Sequence, residues 1–152
     1  MTTPIQTPRA ERLTQVILGV FRTNGCLLAS GDELVGDLGL TSARWQVLGA
    51  ISAADGTLPV AHIARNMGLT RQAVQRVVDD LRTAGLVALQ PNPHHRTARL
   101  VTLTRAGSEA YAQASERQVR WAQQLAEDLP EDDLSAACRV LDALQQKLSS
   151  SA

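Results

Sequence analysis

Residues 60–84, VAHIARNMGLTRQAVQRVVDDLRTA, constrain the fold of this chain more than any other stretch. Their apolar spacing predicts a short helix over Val60–Met67, entered just after Pro59. Gly68 then interrupts it where a positive φ is needed, Thr70 opens a second helix running to Ala84, and Gly85 closes that one as a C-terminal cap. Ala64 is small where two helices must approach, and Leu69, Val74 and Val77 are the expected plugs between them. The second helix would bury Ala73, Val74, Val77, Val78 and Leu81 and turn Arg71, Gln72, Gln75, Arg76 and Asp79 outward. This is the pattern of a helix-turn-helix. Arg and Gln near a helix N-terminus can reach guanine and adenine edges in the major groove, while Asp79 and Asp80 come later, at the end expected to rise away from a duplex. The plainer alternative is a solvated amphipathic helix in a bundle. The spacing Ala64-x-x-x-Gly68 and the order of charges favour nucleic acid.

Charge along the chain points the same way. The chain has 152 residues and a formal net charge of zero, which disfavours coating nucleic acid without regard to sequence. The zero hides segregation. Residues 60–107 hold seven arginines, all three histidines and only two aspartates, whereas residues 108–152 hold eight acids against four basic residues. A basic island of this kind suits a local anionic partner. Single-strand binders stack bases on several aromatic side chains, and this chain has only Phe21, Trp45, Tyr111 and Trp121.

Elsewhere the pattern is mostly helical, as the 22 Ala and 21 Leu would favour. A stripe of Leu13, Val16, Ile17, Val20, Phe21, Leu27 and Leu28 predicts a helix from Arg9 to about Ser30, with Gly31 and Asp32 breaking it and residues 36–39 as a loose connection. Thr41 or Ser42 can cap a helix through Ala54 whose buried side is Trp45, Val47, Leu48 and Ile51, and Asp55-Gly56 signals a turn. Two extended runs, Leu86–Gln90 and Arg99–Leu103, flank a Pro- and Asn-containing link and read as a β-hairpin. His94, His95 and Arg96 stand at its tip, with Arg99 close behind, like a wing laid over phosphates. Thr104 can cap a long helix to about Asp128. Pro130 starts a last one, with Leu134, Ala137, Leu141, Leu144 and Leu148 recurring along it.

No charge-free stretch reaches the ~20 apolar residues of a membrane span, and the N-terminal apolar run carries no cleavage signal. The two cysteines, Cys26 and Cys138, form no C-x-x-C, so neither a disulfide framework nor a thiolate metal site is expected. His94 and His95 lack a third ligand of suitable spacing. A cytoplasmic protein without metal or cofactor is the expectation.

The order helix, helix, helix-turn-helix, hairpin, two long helices resembles the MarR family of winged helix-turn-helix transcription regulators. The resemblance is carried by GLTSARWQVLGAI (Gly39–Ile51), IARNMGLTRQAVQRVVDDLRTAGLV (Ile63–Val87) and RLVTLTRAG (Arg99–Gly107), and it covers Leu13 to Leu148. It implies a mainly α fold with a small β wing. Residues 9–30 and 104–148 would form a helical dimerisation region, and residues 41–103 a winged helix-turn-helix that binds DNA. It further implies a homodimer that sets two recognition helices on an inverted repeat, commonly as a repressor released by a small amphipathic or phenolic compound. The contacting residues would be Thr70, Arg71, Gln72, Gln75, Arg76, His94, His95, Arg96 and Arg99. The family's wing usually has Asp, any residue and Arg where this chain has His95, Arg96 and Thr97, so Arg96 is the natural substitute.

Three other functions compete. A winged-helix module that binds protein should show apolar or acidic residues on the outer face of helix 70–84, where this chain has Arg71, Gln72, Gln75 and Arg76. An oxidant-sensing repressor would act through Cys26, four residues after Arg22, although a small buried hydrophobe is the simpler role for each cysteine. An enzyme is disfavoured, because no nucleophile elbow, phosphate-binding glycine loop, metal motif or carboxylate pair can be found.

Overall fold

A computed structural model of the protein describes residues 7–150. The chain divides into two compact units, the first reaching Arg117 and the second starting at Gln118. The first unit contains α1 (Pro8–Val35), one 3-10 turn (Gly36–Leu38), α2 (Ser42–Ser52), β1 (Thr57–Pro59), α3 (Val60–Met67), α4 (Arg71–Thr83), β2 (Val87–Gln90), β3 (Leu100–Leu103) and the start of α5 (Arg105–Ala126). The remainder of α5 and α6 (Glu131–Ser149) make the second unit. Among the described residues no helix is long and apolar enough to cross a membrane.

Among the described residues threonine hydroxyls start four of the six α-helices, α1, α2, α4 and α5, whereas α3 and α6 follow Pro59 and Pro130. Thr41 Oγ1 accepts from the Arg44 amide at 3.2 Å and Thr70 Oγ1 from the Ala73 amide at 3.2 Å, each satisfying an N–H that the first helical turn leaves without a partner. Thr104 does more. Its Oγ1 accepts from the Gly107 amide at 3.0 Å and donates to the Gly85 carbonyl at 2.7 Å, while its own amide donates to the Leu86 carbonyl at 3.1 Å. The start of α5 is thereby stitched to the chain that enters the hairpin. Gly107 is buried there, and a Cβ on it would stand 2.9 Å from the Leu86 carbonyl carbon.

The core of this unit lies under the helix-turn-helix. Val35, Val47, Leu48, Ile51, Ile63, Val74, Val78, Leu81 and Val101 are completely or almost completely removed from solvent. α3 and α4 each contribute one apolar side at 3.6-residue spacing and leave the other side polar. The three strands form an antiparallel sheet in the order β1-β3-β2, with Leu58 opposite Val101 and Leu89 opposite the same residue on the other edge. The pattern did not mark β1, because three residues ending in Pro59 are too few to show alternation.

One expected break is absent. Gly31 and Asp32 do not end the first helix, which continues to Val35. Gly31 is buried, and a Cβ on it would meet the Ser42 side chain, which donates from Oγ to the Leu28 carbonyl at 2.7 Å. Asp32 Oδ1 accepts from the Ser42 amide at 2.6 Å and so helps to cap α2 from a different helix. Gly and Asp serve here to dock two helices, and tertiary packing overrides their local breaking tendency.

Arg117 closes the far end of α1. Its guanidinium donates to both carboxylate oxygens of Asp37, at 2.9 Å from Nη2 to Oδ2, and to the Leu34 carbonyl at 2.9 Å. The hydrogen bond from Arg117 holds the Asp37 carboxyl below its ordinary value of 3.8. A depressed carboxylate pKa contributes stability that is present above 3.8 and is lost as pH falls through the folded-state value. Asp37→Asn should therefore be less stable than the unaltered chain at neutral pH. Melting temperatures measured from pH 7 to pH 2 should show that small gap closing on the acid side of 3.8. A gap that widened with acid would contradict the assignment.

The second unit exposes much of its apolar side. Leu134 and Leu144 of α6 are half-buried, while Val140, Leu141 and Leu148 are exposed, as are Val119 and Leu125 on α5. In the first unit α1 does the same with Leu13, Val16, Ile17, Leu18, Val20, Phe21, Leu27 and Leu28.

Candidate nucleic-acid interface

The turn between α3 and α4 is built on Gly68, at φ 63° and ψ 30°. Its amide donates to the Arg65 carbonyl at 3.3 Å and the Leu69 amide to the Ala64 carbonyl at 2.9 Å, which satisfies two of the last four carbonyls of α3. Ala64 is buried at the helix approach, as its size suggests. Leu69 is not a plug. It is 48% exposed, because the turn closes through the Leu69 backbone and leaves the side chain outside. Val74, Val78 and Leu81 fill the inner side of α4 completely, with Ala73 and Val77 half-buried.

The outer side of α4 carries the residues expected there. Thr70, Arg71, Gln72, Gln75, Arg76 and Asp79 are all exposed. Arg71, Gln72 and Gln75 line a cleft of about 470 Å³ together with Pro59, Val60 and Ala61 at the start of α3 and with Leu89, Thr97, Ala98 and Arg99 of the hairpin. The first turns of α4 and the base of the wing thus share one concave surface.

The wing tip stands apart from that cleft. His94, His95 and Arg96 are exposed but do not line it. The tip is folded by its own turn chemistry: Asn92 Oδ1 accepts from the His94 amide at 3.0 Å, and the Asn92 and His95 carbonyls accept from His95 and Ala98 amides at 3.3 Å each. Arg99, close behind the tip in sequence, is the wing cation that faces α4.

Three arginines of the described residues are held in ion pairs. Arg44 pairs with Asp80 at 3.6 Å, Arg105 with Glu109 at 2.8 Å and Arg117 with Asp37. Among the described residues Arg71, Arg76, Arg96 and Arg99 have no ion-pair partner. Arg71 and Arg99, which share the cleft, can attract phosphate and bind it bidentately. The Arg44–Asp80 pair was not foreseen, and it turns one of the two α4 acids towards α2. Gln75 Nε2 donates to Asp79 Oδ1 at 3.0 Å, a contact that the i, i+4 spacing of the two residues could have signalled.

The cysteines do not behave as small core residues: Cys26 and Cys138 are both exposed, free thiols. Among the described residues no three His, Cys, Asp or Glu side chains gather into a group able to hold a metal.

Helix-turn-helix, three-stranded sheet and protruding hairpin together define a winged helix-turn-helix. A model of the MarR family matches residues 38–96, the segment that holds α2, α3, α4 and most of the wing. The chain is 39% identical over 110 residues to the protein Rv2011c of Mycobacterium tuberculosis, covering 72% of this chain and 76% of that one. Among solved structures it is similar to Sco5413 of Streptomyces coelicolor, a MarR family transcriptional regulator, at 25% identity and a TM-score of 0.76 over 91% of this chain and 96% of the other. It also shares the fold of CouR from Rhodococcus jostii RHA1, solved bound to p-coumaroyl-CoA, at 21% identity and a TM-score of 0.75 over 83% and 88% of the two chains. This chain belongs to the MarR family of transcriptional regulators.

Proposed function

We propose that the protein is a homodimeric repressor that binds a specific inverted repeat in double-stranded DNA and is released by a small amphipathic or phenolic ligand. The observation that carries the reading is the surface on which Arg71, Gln72 and Gln75 of α4 share a cleft with Arg99 of the wing. Arg and Gln side chains match guanine and adenine edges in the major groove, and a wing of cations suits the adjoining backbone. Thr70 Oγ1 already accepts from the Ala73 amide, so its hydroxyl hydrogen remains to donate to a phosphate. In this reading residues 41–103 bind DNA, and residues 9–30 with 104–148 hold two chains together. The apolar residues exposed on α1, and separately those exposed on α6, support that division, since several exposed apolar side chains on one helix mark an interaction face. CouR, bound to p-coumaroyl-CoA, supports a ligand with an aromatic and an anionic part.

A gel shift against the DNA upstream of the protein's own gene, at two salt concentrations, tests the reading. A sequence-selective complex that weakens as salt rises supports it. A complex no tighter than that with scrambled DNA contradicts it.

Helix and wing should then separate by mutation. Gln72→Ala or Arg76→Ala should cost about 1–3 kcal/mol on the selected site and relax preference at particular base pairs. Arg96→Ala should weaken selected and scrambled sites alike and flatten the salt dependence, because a phosphate contact releases counterions without reading bases. Anisotropy titrations over a salt series distinguish the two. Equal losses on both sites for Gln72→Ala and Arg76→Ala would remove those residues from base reading.

A further inference from the structure

Gln75 and Asp79 lie one turn apart on the exposed side of α4, joined by the 3.0 Å bond from Gln75 Nε2 to Asp79 Oδ1. Gln75 also lines the cleft between α4 and the base of the wing. A side-chain amide on an exposed helix ordinarily turns over, offering either its donor or its acceptor to whatever it meets. Asp79 removes that choice. An ionised carboxylate has acceptors only, so the end of the amide turned towards it must be the NH₂. The reverse orientation would set two oxygens against each other with no hydrogen between them. Oε1 and the second Nε2 hydrogen are left for a partner. In the major groove adenine offers an N–H at N6 beside the N7 acceptor, whereas guanine offers acceptors at both O6 and N7. An amide with its oxygen held outward matches the first edge and conflicts with the second.

We infer that Asp79 is a specificity-determining positioning residue, which orients the Gln75 amide and so makes one position of each half-site adenine. This rests on the DNA-binding reading above. Asp79 needs no contact with DNA for the purpose. Its own charge repels every phosphate backbone and therefore lowers affinity for all sequences together, which leaves the base preference as the distinctive readout. The neighbouring acid does not compete for the amide, because Asp80 is paired with Arg44.

The test is a selection of binding sites from random double-stranded DNA by the full-length protein and by Gln75→Leu, Asp79→Asn and Asp79→Glu. The unaltered protein should select a symmetric site containing one adenine per half-site that Gln75→Leu alone erases. Asp79→Asn can present either a donor or an acceptor to Gln75, so it should admit guanine at that position and cut the preference for adenine about tenfold, with the other positions unchanged. Asp79→Glu restores an acceptor-only partner and should keep adenine. A preference that survives Asp79→Asn in full, or a Gln75→Leu selection identical to that of the unaltered protein, overturns the inference while DNA binding stands. Failure of the unaltered protein to select any sequence overturns both.

Discussion

Leu141→Asp should abolish dimer formation and specific DNA binding together. Leu141 is 45% exposed on α6, in a row with Leu134, Leu144 and Leu148. A 19-residue helix draws most of its stability from packing its apolar side, not from intrinsic propensity. In the proposed dimer that side meets a second copy. Each buried leucine then contributes about 1.5–3 kcal/mol, and two-fold symmetry counts every substitution twice. A carboxylate in the same place must also be stripped of water without a partner, which costs more than the leucine's contribution. Because Leu141 is exposed in the single chain, the core beneath the helix-turn-helix is untouched by the change. Sedimentation should show a monomer, and circular dichroism should show helix lost from α6 while the core under the helix-turn-helix stays folded. That monomer should bind a half-site far more weakly than the dimer binds the repeat. Leu141→Asp that stayed dimeric and bound with unchanged affinity would remove α6 from the dimer.

Gly107→Ala should be the most destabilising small substitution in the first unit. Its Cβ would stand 2.9 Å from the Leu86 carbonyl carbon, and that neighbour is backbone, unable to swing aside like a flexible side chain. To admit a methyl group α5 must move off the hairpin, straining the three hydrogen bonds that Thr104 makes to Gly85, Leu86 and Gly107. Overpacking of this kind costs about 3 kcal/mol, which for a unit of this size lowers Tm by about 10 °C or more. Ala106→Ser, one residue earlier and exposed, is the control and should change little. Urea unfolding of the two variants decides it: equal midpoints would mean that α5 is not tightly seated on Leu86.

The helix-turn-helix was legible because its signals are local and agree with one another. Thr70 caps, Gly68 takes a positive φ, and Val74, Val78 and Leu81 fall inward at helical spacing. What the pattern missed depends on residues distant in sequence. Gly31 and Asp32 look like a helix end, yet both are used to dock Ser42, ten or eleven positions on. Leu69 looks like an interface plug from its apolarity, but whether a side chain or a backbone amide closes the turn is decided by three-dimensional geometry. The outward residues of α4 followed from periodicity alone. Their sharing of a cleft with Arg99, and the separation of His94, His95 and Arg96 from it, depend on the register of β2 on β3 and of β3 on β1, which no local pattern encodes.

Chemical footprinting of the protein on its selected site tests the central claim most directly. Two copies of α4 related by two-fold symmetry should protect guanine N7 in two successive major-groove segments, centred about 34–36 Å apart along one side of the duplex, with wing protection of the backbone just outside each. Arg76→Ala should weaken both segments equally. A single protected segment, or protection that spreads without regard to sequence, would contradict the account.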